Sequence, residues 1–217
     1  MDGRLLLIDK PAGITSHDVV DRVRKIFNTR RVGHAGTLDP FATGLLIVGV
    51  GPATKELTAL VGLDKTYEAT ARLGATSSTF DPEGVITVGA NPGLAPTPSE
   101  IETIFDRFRG GYEQKAPLHS AKKIGGKKLY ELARQGTATE EMRPTKQVTI
   151  SELTVTRYEW PELAFRVSSS SGTYIRSLAD DIGRELGVGA YLTGLRRTRI
   201  GTYRIEDATT LDNLKNA

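Results

Sequence analysis

One aspartate stands in a short segment that is rich in glycine and contains a proline. The twelve residues Gly33–Gly44 read GHAGTLDPFATG, with Asp39 directly before Pro40 and His34 upstream. Proline fixes its own φ and disfavours helical backbone in the preceding residue, so we expect Asp39 to be extended at a turn. A carboxylate there could act as a nucleophile, act as a general base, or only cap its own turn. Taken alone, the segment favours the last of these, a carboxylate that only caps its own turn.

The cationic residues are grouped along the chain, although the net charge is only +3. Such groups suit a polyanion better than a small substrate. Because Lys and Arg on a helix face are usually solvated surface, charge alone leaves RNA binding as one option among several. The groups are Arg22, Arg24, Lys25, Arg30 and Arg31; Lys122, Lys123, Lys127 and Lys128; and Arg196, Arg197 and Arg199.

The composition excludes several classes of protein. With 217 residues and 38% hydrophobic content, the chain can build one sizeable core, and we expect one globular domain over residues 1–217. The absence of cysteine excludes disulfides and thiolate metal sites, and the three histidines lack metal-binding spacing, so we expect no metal. The apolar run Leu5–Ile8 is far shorter than a signal peptide's apolar stretch or a membrane span of ~20 residues. We therefore expect a cytoplasmic protein that does not enter a membrane.

Three segments carry apolar residues at helical spacing, and each has a start or stop signal. Capping-box pairs, Thr15 with Asp18 and Thr97 with Glu100, precede the first two segments, and Gly187 ends the third. The predicted helices follow Thr15, run from Thr97 to Gly110, and run from Ile175 to Gly187, with a shorter helix from about Lys127 to Arg134.

Strand patterns outnumber helix patterns and do not alternate with them. They are predicted at residues 5–8, 45–50, 67–73, 148–158, 163–168 and 200–205. In the third of these, Tyr67, Ala69, Ala71 and Leu73 alternate with polar residues, which predicts that they face inward. We therefore predict an α+β fold with a mixed, largely antiparallel central sheet flanked by helices. Residues at about 115–145 are basic, punctuated by glycine and poor in strand signal, so we interpret them as an insertion over the core.

Four further blocks stand in order around GHAGTLDPFATG, and together the five closely resemble the TruB family of tRNA pseudouridine synthases. This resemblance implies the pseudouridine synthase fold and the isomerisation of uridine to pseudouridine at position 55 of the tRNA T loop, without a cofactor. It implies the T-arm stem-loop as partner, and we expect a monomer. The four blocks are DKPAGITSHDVV at Asp9–Val20, DKTYEATARLG at Asp64–Gly74, SAKKIGGKKLYELARQG at Ser120–Gly136 and SSGTYIRSLADDIG at Ser170–Gly183.

The resemblance implies that Asp39 is the catalytic nucleophile, which attacks the anomeric carbon or carbon 6 of the uracil ring. It matches Arg176 with an arginine that pairs with that carboxylate. A cation in the first turn of a helix is opposed by the macrodipole by ~0.3 to 1 kcal/mol, which indicates a specific partner. From the residues alone, that guanidinium could instead bind another carboxylate or reach solvent.

Three more matches lie in the first third of the chain. The resemblance implies that Lys10 braces the Asp39 loop and that His34 fills the gap left when the target base is extruded. It places Tyr67 against the base, where stacking is worth roughly 1 to 3 kcal/mol. The alternatives are a turn histidine that binds backbone and a tyrosine that belongs to the core.

The remaining matches are Asp81, Tyr174 and Leu195. The resemblance implies that Tyr174 lines the uridine pocket, that Leu195 is an apolar wall of it, and that Asp81 lies near the substrate. Asp81 could equally be a plain Asp-Pro turn residue. The family usually has T-D-T upstream of this aspartate, whereas residues 77–79 read SST here, so one carboxylate of the pattern is missing.

Two other functions remain open. A hydrolase that cleaves a glycosidic bond would be expected to have paired carboxylates, and only Asp39 stands in a strong motif. A non-catalytic RNA chaperone could use the same cationic groups to fold tRNA. Most TruB members continue into a small RNA-binding module called PUA; we expect no PUA domain here, in a chain that is either naturally short or truncated.

Overall fold

The computed structural model describes residues 3–89, 94–120 and 122–215. Its helices are α1 (Ser16–Ile26), α2 (Leu57–Val61), α3 (Pro98–Phe108), α4 (Leu129–Arg134), α5 (Ile175–Glu185) and α6 (Leu211–Lys215), with 3-10 turns at Gly51–Lys55, Glu140–Met142 and Ile205–Asp207. Its strands are β1 (Arg4–Lys10), β2 (Val32–Ala35), β3 (Thr43–Val50), β4 (Lys65–Leu73), β5 (Ala75–Ser77), β6 (Ile86–Val88), β7 (Gly110–Lys115), β8 (Lys123–Ile124), β9 (Lys127–Lys128), β10 (Thr145–Glu159), β11 (Glu162–Ser169), β12 (Ala190–Ile200) and β13 (Tyr203–Arg204).

The chain divides into two compact units, one of residues 1–68 and 194–217 and one of residues 69–193. Within the described residues, the strands form a nine-stranded, mostly antiparallel sheet and two two-stranded sheets. This confirms the predicted α+β class with a central sheet. The assignment of the whole chain to one catalytic domain stays a prediction, because compact units need not be separate domains.

The first unit is organised around β3, which is buried on both faces. β1 and β2 both pair with it in antiparallel register, and the C-terminal part of β12 pairs with it in parallel, with Arg197 opposite Gly44. One face of β3 packs on α1 and α6, whereas Leu45 and Ile47 on the other face pack against Leu57. Burial on both faces explains the nearly continuous apolar run of this strand.

Helix α1 begins at the predicted capping box. The Thr15 hydroxyl accepts from the N–H of Asp18 at 3.0 Å, and the Asp18 carboxylate accepts from the N–H of Thr15 at 2.7 Å. Two of the otherwise unpaired N–H groups of the first turn are thereby satisfied. The buried face of α1 is formed by Val19, Val20 and Val23.

The second unit contains β10, paired in antiparallel register with β11 on one side and β7 on the other. Helix α3 begins at the predicted Thr97–Glu100 capping box and packs its apolar face on these strands. Phe105 of α3 meets Phe165 of β11 edge to face, with ring centroids 5.8 Å apart, a geometry that aromatic pairs prefer.

Two predicted elements were wrong in part. The strand expected at residues 200–205 is instead a tight hairpin between β12 and β13, because Gly201 takes a positive φ of 54° and turns the chain. The helix expected from about Lys127 begins two residues later, since Lys127 and Lys128 pair with β8. The interpretation of residues 115–145 as an insertion stays a prediction. None of the described helices is both long enough and apolar enough to cross a membrane.

Candidate active site

Asp39 lies in the loop between β2 and β3 and is half-buried. Its carbonyl accepts from the N–H of Ala42 at 3.1 Å, so the chain turns directly after the Asp-Pro pair. This confirms the turn that the sequence predicted. The neighbouring Leu38 is buried and anchors the loop in the core of the first unit.

Ser16 binds both backbone groups, the N–H and the carbonyl, of Leu38, the residue before Asp39. The buried Ser16 hydroxyl accepts from the N–H of Leu38 at 2.9 Å and donates to its carbonyl at 3.2 Å. Ser16 is the first residue of α1, so the helix and the loop are joined at this point. No signal in the sequence marks Ser16 for this contact, because a serine at a helix start is ordinarily only a capping residue.

Lys10 holds the residue after Asp39. Its side chain is completely buried, and Nζ donates to the carbonyls of Pro11 at 2.9 Å, Ile14 at 2.7 Å and Pro40 at 3.3 Å. The N–H of Gly13 donates to the same Pro40 carbonyl at 2.9 Å. A buried ammonium is stabilised by these carbonyl partners and holds the two segments that carry them together. This agrees with the interpretation that Lys10 braces the Asp39 loop.

His34 lies on β2, opposite Val48 of β3, and is half-buried. Burial lowers the pKa of its imidazole, and the positive charge of Arg197 lowers that pKa further. His34 Nδ1 is buried without a hydrogen-bond partner among the described residues. The ring is therefore neutral at neutral pH.

Tyr67 and Leu195 are both buried, on β4 and β12 respectively. Tyr67 begins the alternating inward series that the sequence predicted, with Ala69, Ala71 and Leu73 also buried. Burial of this kind suits both a core position and a pocket wall, so contact of Tyr67 and Leu195 with a base stays a prediction.

Asp81 and Arg176, two of the predicted site residues, form a buried ion pair in the second unit. Arg176 Nη1 lies 3.0 Å from Asp81 Oδ2. The guanidinium also donates to the carbonyls of Thr79 at 2.7 Å and His119 at 3.1 Å. Asp81 in addition accepts from the N–H of Glu83 at 3.0 Å, so it is a turn residue and a charge partner at once.

Hydroxyl groups surround Asp81 where the expected extra carboxylate is missing. Ser77 donates to the Asp81 carbonyl at 2.6 Å, and the Thr79 hydroxyl donates to the Asp81 carboxylate. Ser78 accepts from the N–H of Val85 at 3.0 Å. The loop is therefore closed by hydrogen bonds of hydroxyl groups in spite of the changed sequence.

Tyr174 is the N-cap residue of α5, two residues before Arg176, and its backbone is held by Gln114. The buried Gln114 amide accepts from the N–H of Tyr174 at 2.7 Å and donates to its carbonyl at 3.0 Å. Beside this pair is a hollow of about 140 Å³ that is also lined by Lys122 and Lys146. No signal in the sequence marks Gln114 for this task.

The predicted site residues are distributed between the units. Lys10, His34, Asp39, Tyr67 and Leu195 lie in the first unit, and Asp81, Tyr174 and Arg176 lie in the second. The pairing of Asp39 with Arg176 stays a prediction. A half-buried carboxylate on a loop that is fixed on both sides is suited to nucleophilic attack, because its position costs no reorganisation during reaction. Within the described residues, no group of His, Asp and Glu side chains is arranged to hold a metal ion.

Two family models match the chain in succession. Residues 24–175 match the TruB family pseudouridylate synthase N-terminal domain, and residues 176–217 match the tRNA pseudouridylate synthase B C-terminal domain. The first match contains the Asp39 loop and the Asp81 loop, and the second begins at Arg176.

Curated relatives resemble nearly the whole chain. The tRNA pseudouridine synthase B of Thermobifida fusca (strain YX) is 49% identical over 218 residues, which cover 97% of this chain and 73% of that protein. The tRNA pseudouridine synthase B of Mycobacterium tuberculosis (strain H37Rv) is 47% identical over 212 residues, which cover 97% of this chain and 71% of that protein.

Solved structures share the fold. A chain in the crystal structure of a Cbf5-Nop10-Gar1 complex matches with a TM-score of 0.76 and 33% identity over 98% of this chain. A chain in the structure of an H/ACA RNP bound to a substrate RNA containing 2'-deoxyuridine matches with a TM-score of 0.73 and 30% identity, also over 98% of this chain. This chain spans about half the length of both, 53% and 52%.

Proposed function

The chain belongs to the TruB family of pseudouridylate synthases, which are isomerases, and on that premise we propose that its substrate is the T-arm stem-loop of tRNA, with the uridine at position 55 as the target. The observation that carries this proposal is the Asp39 loop. It lies within the matched family model, and Lys10 and Ser16 fix the backbone on either side of the carboxylate. We further propose that the protein acts as a monomer without a cofactor.

In the proposed reaction Asp39 is the nucleophile. Its carboxylate forms a bond to the anomeric carbon or to carbon 6 of the uracil ring, and the bond between the base and the ribose breaks. The base rotates, carbon 5 forms the new bond to the ribose, and the bond to Asp39 is released. The proton on carbon 5 then leaves and N1, which has lost its bond to the ribose, takes up a proton, so the product is an isomer of the substrate and nothing else is consumed.

The target base lies inside a folded loop and must be extruded before Asp39 can reach it, at a cost of a few kcal/mol. We propose that His34 enters the gap in the RNA and that Tyr67 stacks on the extruded base. The lowered pKa of His34 supports its role, because a neutral imidazole enters a base stack without the cost of desolvating a charge. Tyr174 and Leu195 complete the proposed pocket.

We propose that Arg176 keeps the Asp39 carboxylate ionised during the reaction. The support is the fixed position of its guanidinium, which Asp81 and the carbonyls of Thr79 and His119 define within the second unit. A guanidinium is charged at every physiological pH and presents five donors, so it can bind further acceptors while it holds these three.

The test is conversion of an unmodified tRNA transcript, with pseudouridine mapped along the RNA. Wild-type protein is expected to modify position 55 only. Asp39→Asn keeps the shape of the side chain but not its nucleophilic charge, so conversion should be lost while tRNA affinity stays within about twofold, since the phosphate contacts that dominate affinity are intact. Asp64→Asn, an exposed aspartate outside the loop, is the control and should convert tRNA normally.

The two alternative functions give different results in the same assay. A glycosidic-bond hydrolase would release free uracil, whereas an isomerase releases nothing. A non-catalytic tRNA chaperone would bind the transcript but produce no pseudouridine with either wild-type protein or Asp39→Asn. Pseudouridine at another position of the transcript would contradict the T-loop assignment and leave the isomerase assignment standing.

A further inference from the structure

Arg197 is a completely buried arginine on β12, with 1% of its surface exposed. Its guanidinium donates to three backbone carbonyls: Nη2 to Gly36 at 2.9 Å, Nη1 to Thr37 at 3.5 Å and Nε to Leu45 at 2.8 Å. Gly36 and Thr37 precede Asp39, and Leu45 follows it. One side chain therefore joins the two ends of the loop that carries the carboxylate.

The partners of Arg197 are unusual for a buried charge. Buried arginines are ordinarily paired with a carboxylate, because an unpaired charge is costly to remove from water. None of the ion pairs formed by the described residues includes Arg197. Its charge is stabilised by carbonyl oxygens instead, and three different nitrogens of the planar guanidinium reach them simultaneously.

The backbone of Arg197 also contacts the Asp39 loop, at Gly44. β12 runs parallel to β3 with Arg197 opposite Gly44, and a Cβ added to Gly44 would lie 2.3 Å from the Arg197 carbonyl oxygen. Gly44 also has a positive φ of 101°, so no other residue fits here without strain. The strand that carries Arg197 thus touches the C-terminal end of the loop directly, while the guanidinium reaches its N-terminal end.

We infer that Arg197 is a positioning residue for catalysis, which closes the Asp39 loop through three carbonyl groups and so fixes the carboxylate at the distance and angle that attack on the uridine requires. The inference deepens the proposed function and rests on it. Three supports then act on the loop from different sides: Ser16 before the carboxylate, Lys10 after it, and Arg197 across both ends.

Arg197→Lys is the variant that tests this role. It keeps the positive charge but replaces three donor nitrogens with one, so the lysine cannot hold carbonyl groups that Nε, Nη1 and Nη2 reached separately at the two ends of the loop. We expect the single-turnover rate of uridine conversion, measured with saturating enzyme, to fall by about 100-fold, because a misplacement of about 1 Å costs that much. The dissociation constant for tRNA should stay within about twofold, since phosphate contacts dominate affinity.

Arg204→Lys is the matched control. It is the same substitution in the same unit, at an exposed arginine of β13, the strand that pairs with β12. Its conversion rate and its tRNA affinity should both stay within about twofold of wild type, because this side chain holds none of the three carbonyls that Arg197 joins.

Amide hydrogen exchange of Gly36–Ala42 gives a readout that does not depend on activity. Exchange in this segment should become faster in Arg197→Lys, while α1 and α6 of the same unit keep their protection. A conversion rate within threefold of wild type would overturn the inference, as would loss of tRNA binding equal to the loss of rate. A variant that fails to fold would also overturn it, since Arg197 would then be a residue of the core alone. If wild-type protein forms no pseudouridine, the proposed function fails, and the exchange result still tests the loop.

Discussion

The guanidinium of Arg176 lies 3.0 Å from the carboxylate of Asp81, and the two side chains are only 6% and 3% exposed. The family resemblance placed each residue at the substrate site but did not pair the two with each other. An ion pair that is removed from water in this way adds little to the net stability of the folded protein, yet it fixes the orientation of both charged groups. Asp81 is therefore a partner that sets the direction of the guanidinium from within the second unit.

Asp81→Asn should destabilise the protein and slow uridine conversion. The change keeps the side chain's shape but removes a charge partner of a buried guanidinium. Breaking a buried pair costs ~3 to 5 kcal/mol, and we expect the lower end because the Thr79 and His119 carbonyls remain. The measurement is the free energy of unfolding in urea.

Glu162→Gln is the control for this prediction. It breaks the ion pair with Arg157, in which the two charged groups are 2.7 Å apart, closer than in the Asp81–Arg176 pair, but the side chains are 51% and 61% exposed. Such surface pairs contribute ~0 to 1 kcal/mol. Equal losses in the two variants would show that burial of the Asp81–Arg176 pair has no energetic consequence.

Lys10→Met should loosen the Asp39 loop. Methionine fills a similar volume but cannot donate to the carbonyls of Pro11, Ile14 and Pro40. Loss of these bonds should lower the free energy of unfolding by ~1 to 3 kcal/mol, and conversion should slow because the loop is less well fixed. Thermal unfolding and single-turnover conversion measure the two effects.

The control for Lys10 is Lys55→Met, at an exposed lysine of a 3-10 turn in the same unit, which should leave both quantities near wild type. Lys10→Arg is a second variant to compare with Lys10→Met, because arginine keeps the positive charge in a larger side chain. If Lys10→Met unfolds like wild type but forms no pseudouridine, Lys10 acts on the substrate itself rather than as a brace.

The elements that the sequence predicted well are those with strong local signals. The capping boxes at Thr15 and Thr97 set the starts of α1 and α3, and the inward alternation from Tyr67 was correct. The strand predicted at residues 200–205 was wrong because β-branched and aromatic residues continue across Gly201, and one positive φ decides the turn. Apolar periodicity does not report such a local backbone conformation.

The residues alone could not predict the supports of the candidate site, because these supports bind backbone groups. Ser16, Gln114 and Arg197 all act on carbonyl or N–H groups of residues 22 to 161 positions away in the chain. Any residue has a carbonyl, so no residue type at the receiving end marks the contact. The family resemblance supplied the side chains that are expected to meet the substrate, and the structure supplies the residues that hold them.

Asp181 should make stability depend on pH. This residue of α5 lines a cavity of about 250 Å³ beside Tyr112, and burial raises the pKa of its carboxyl from the ordinary 3.8 to about 6, an effect that Arg184 partly opposes. Between about pH 4 and pH 6 the folded protein therefore holds more protons than the unfolded chain. Its free energy of unfolding falls as pH rises through that window.

Asp181→Asn removes this titration. The variant should gain stability relative to wild type as pH rises from about 4 to 6, and the difference should then be constant at higher pH. Asp212→Asn, an aspartate of α6 whose side chain is 89% exposed, should show the same difference from wild type at both ends of the window. A constant difference for Asp181→Asn would show that burial does not perturb its carboxyl. Urea unfolding at a series of pH values measures both.

Gln114→Glu should slow uridine conversion at neutral pH and recover on acidification. The glutamate has the shape of glutamine and can still accept from the N–H of Tyr174, but its second oxygen then faces the Tyr174 carbonyl, to which the amide donated at 3.0 Å. Two acceptors cannot bond, so Tyr174 and the start of α5 should shift until the carboxyl is protonated and donates again. Burial disfavours the charged form, so that protonation should occur above the ordinary glutamate range.

The pH dependence separates this explanation from a general loss of structure. Gln147→Glu, at an exposed position of β10, introduces the same charge and should leave the ratio of variant to wild-type rate unchanged with pH. For Gln114→Glu the ratio should rise as pH falls, at constant tRNA affinity. A ratio that stays low at every pH would mean that the amide itself, and not the direction of its hydrogen bond to Tyr174, is what conversion needs.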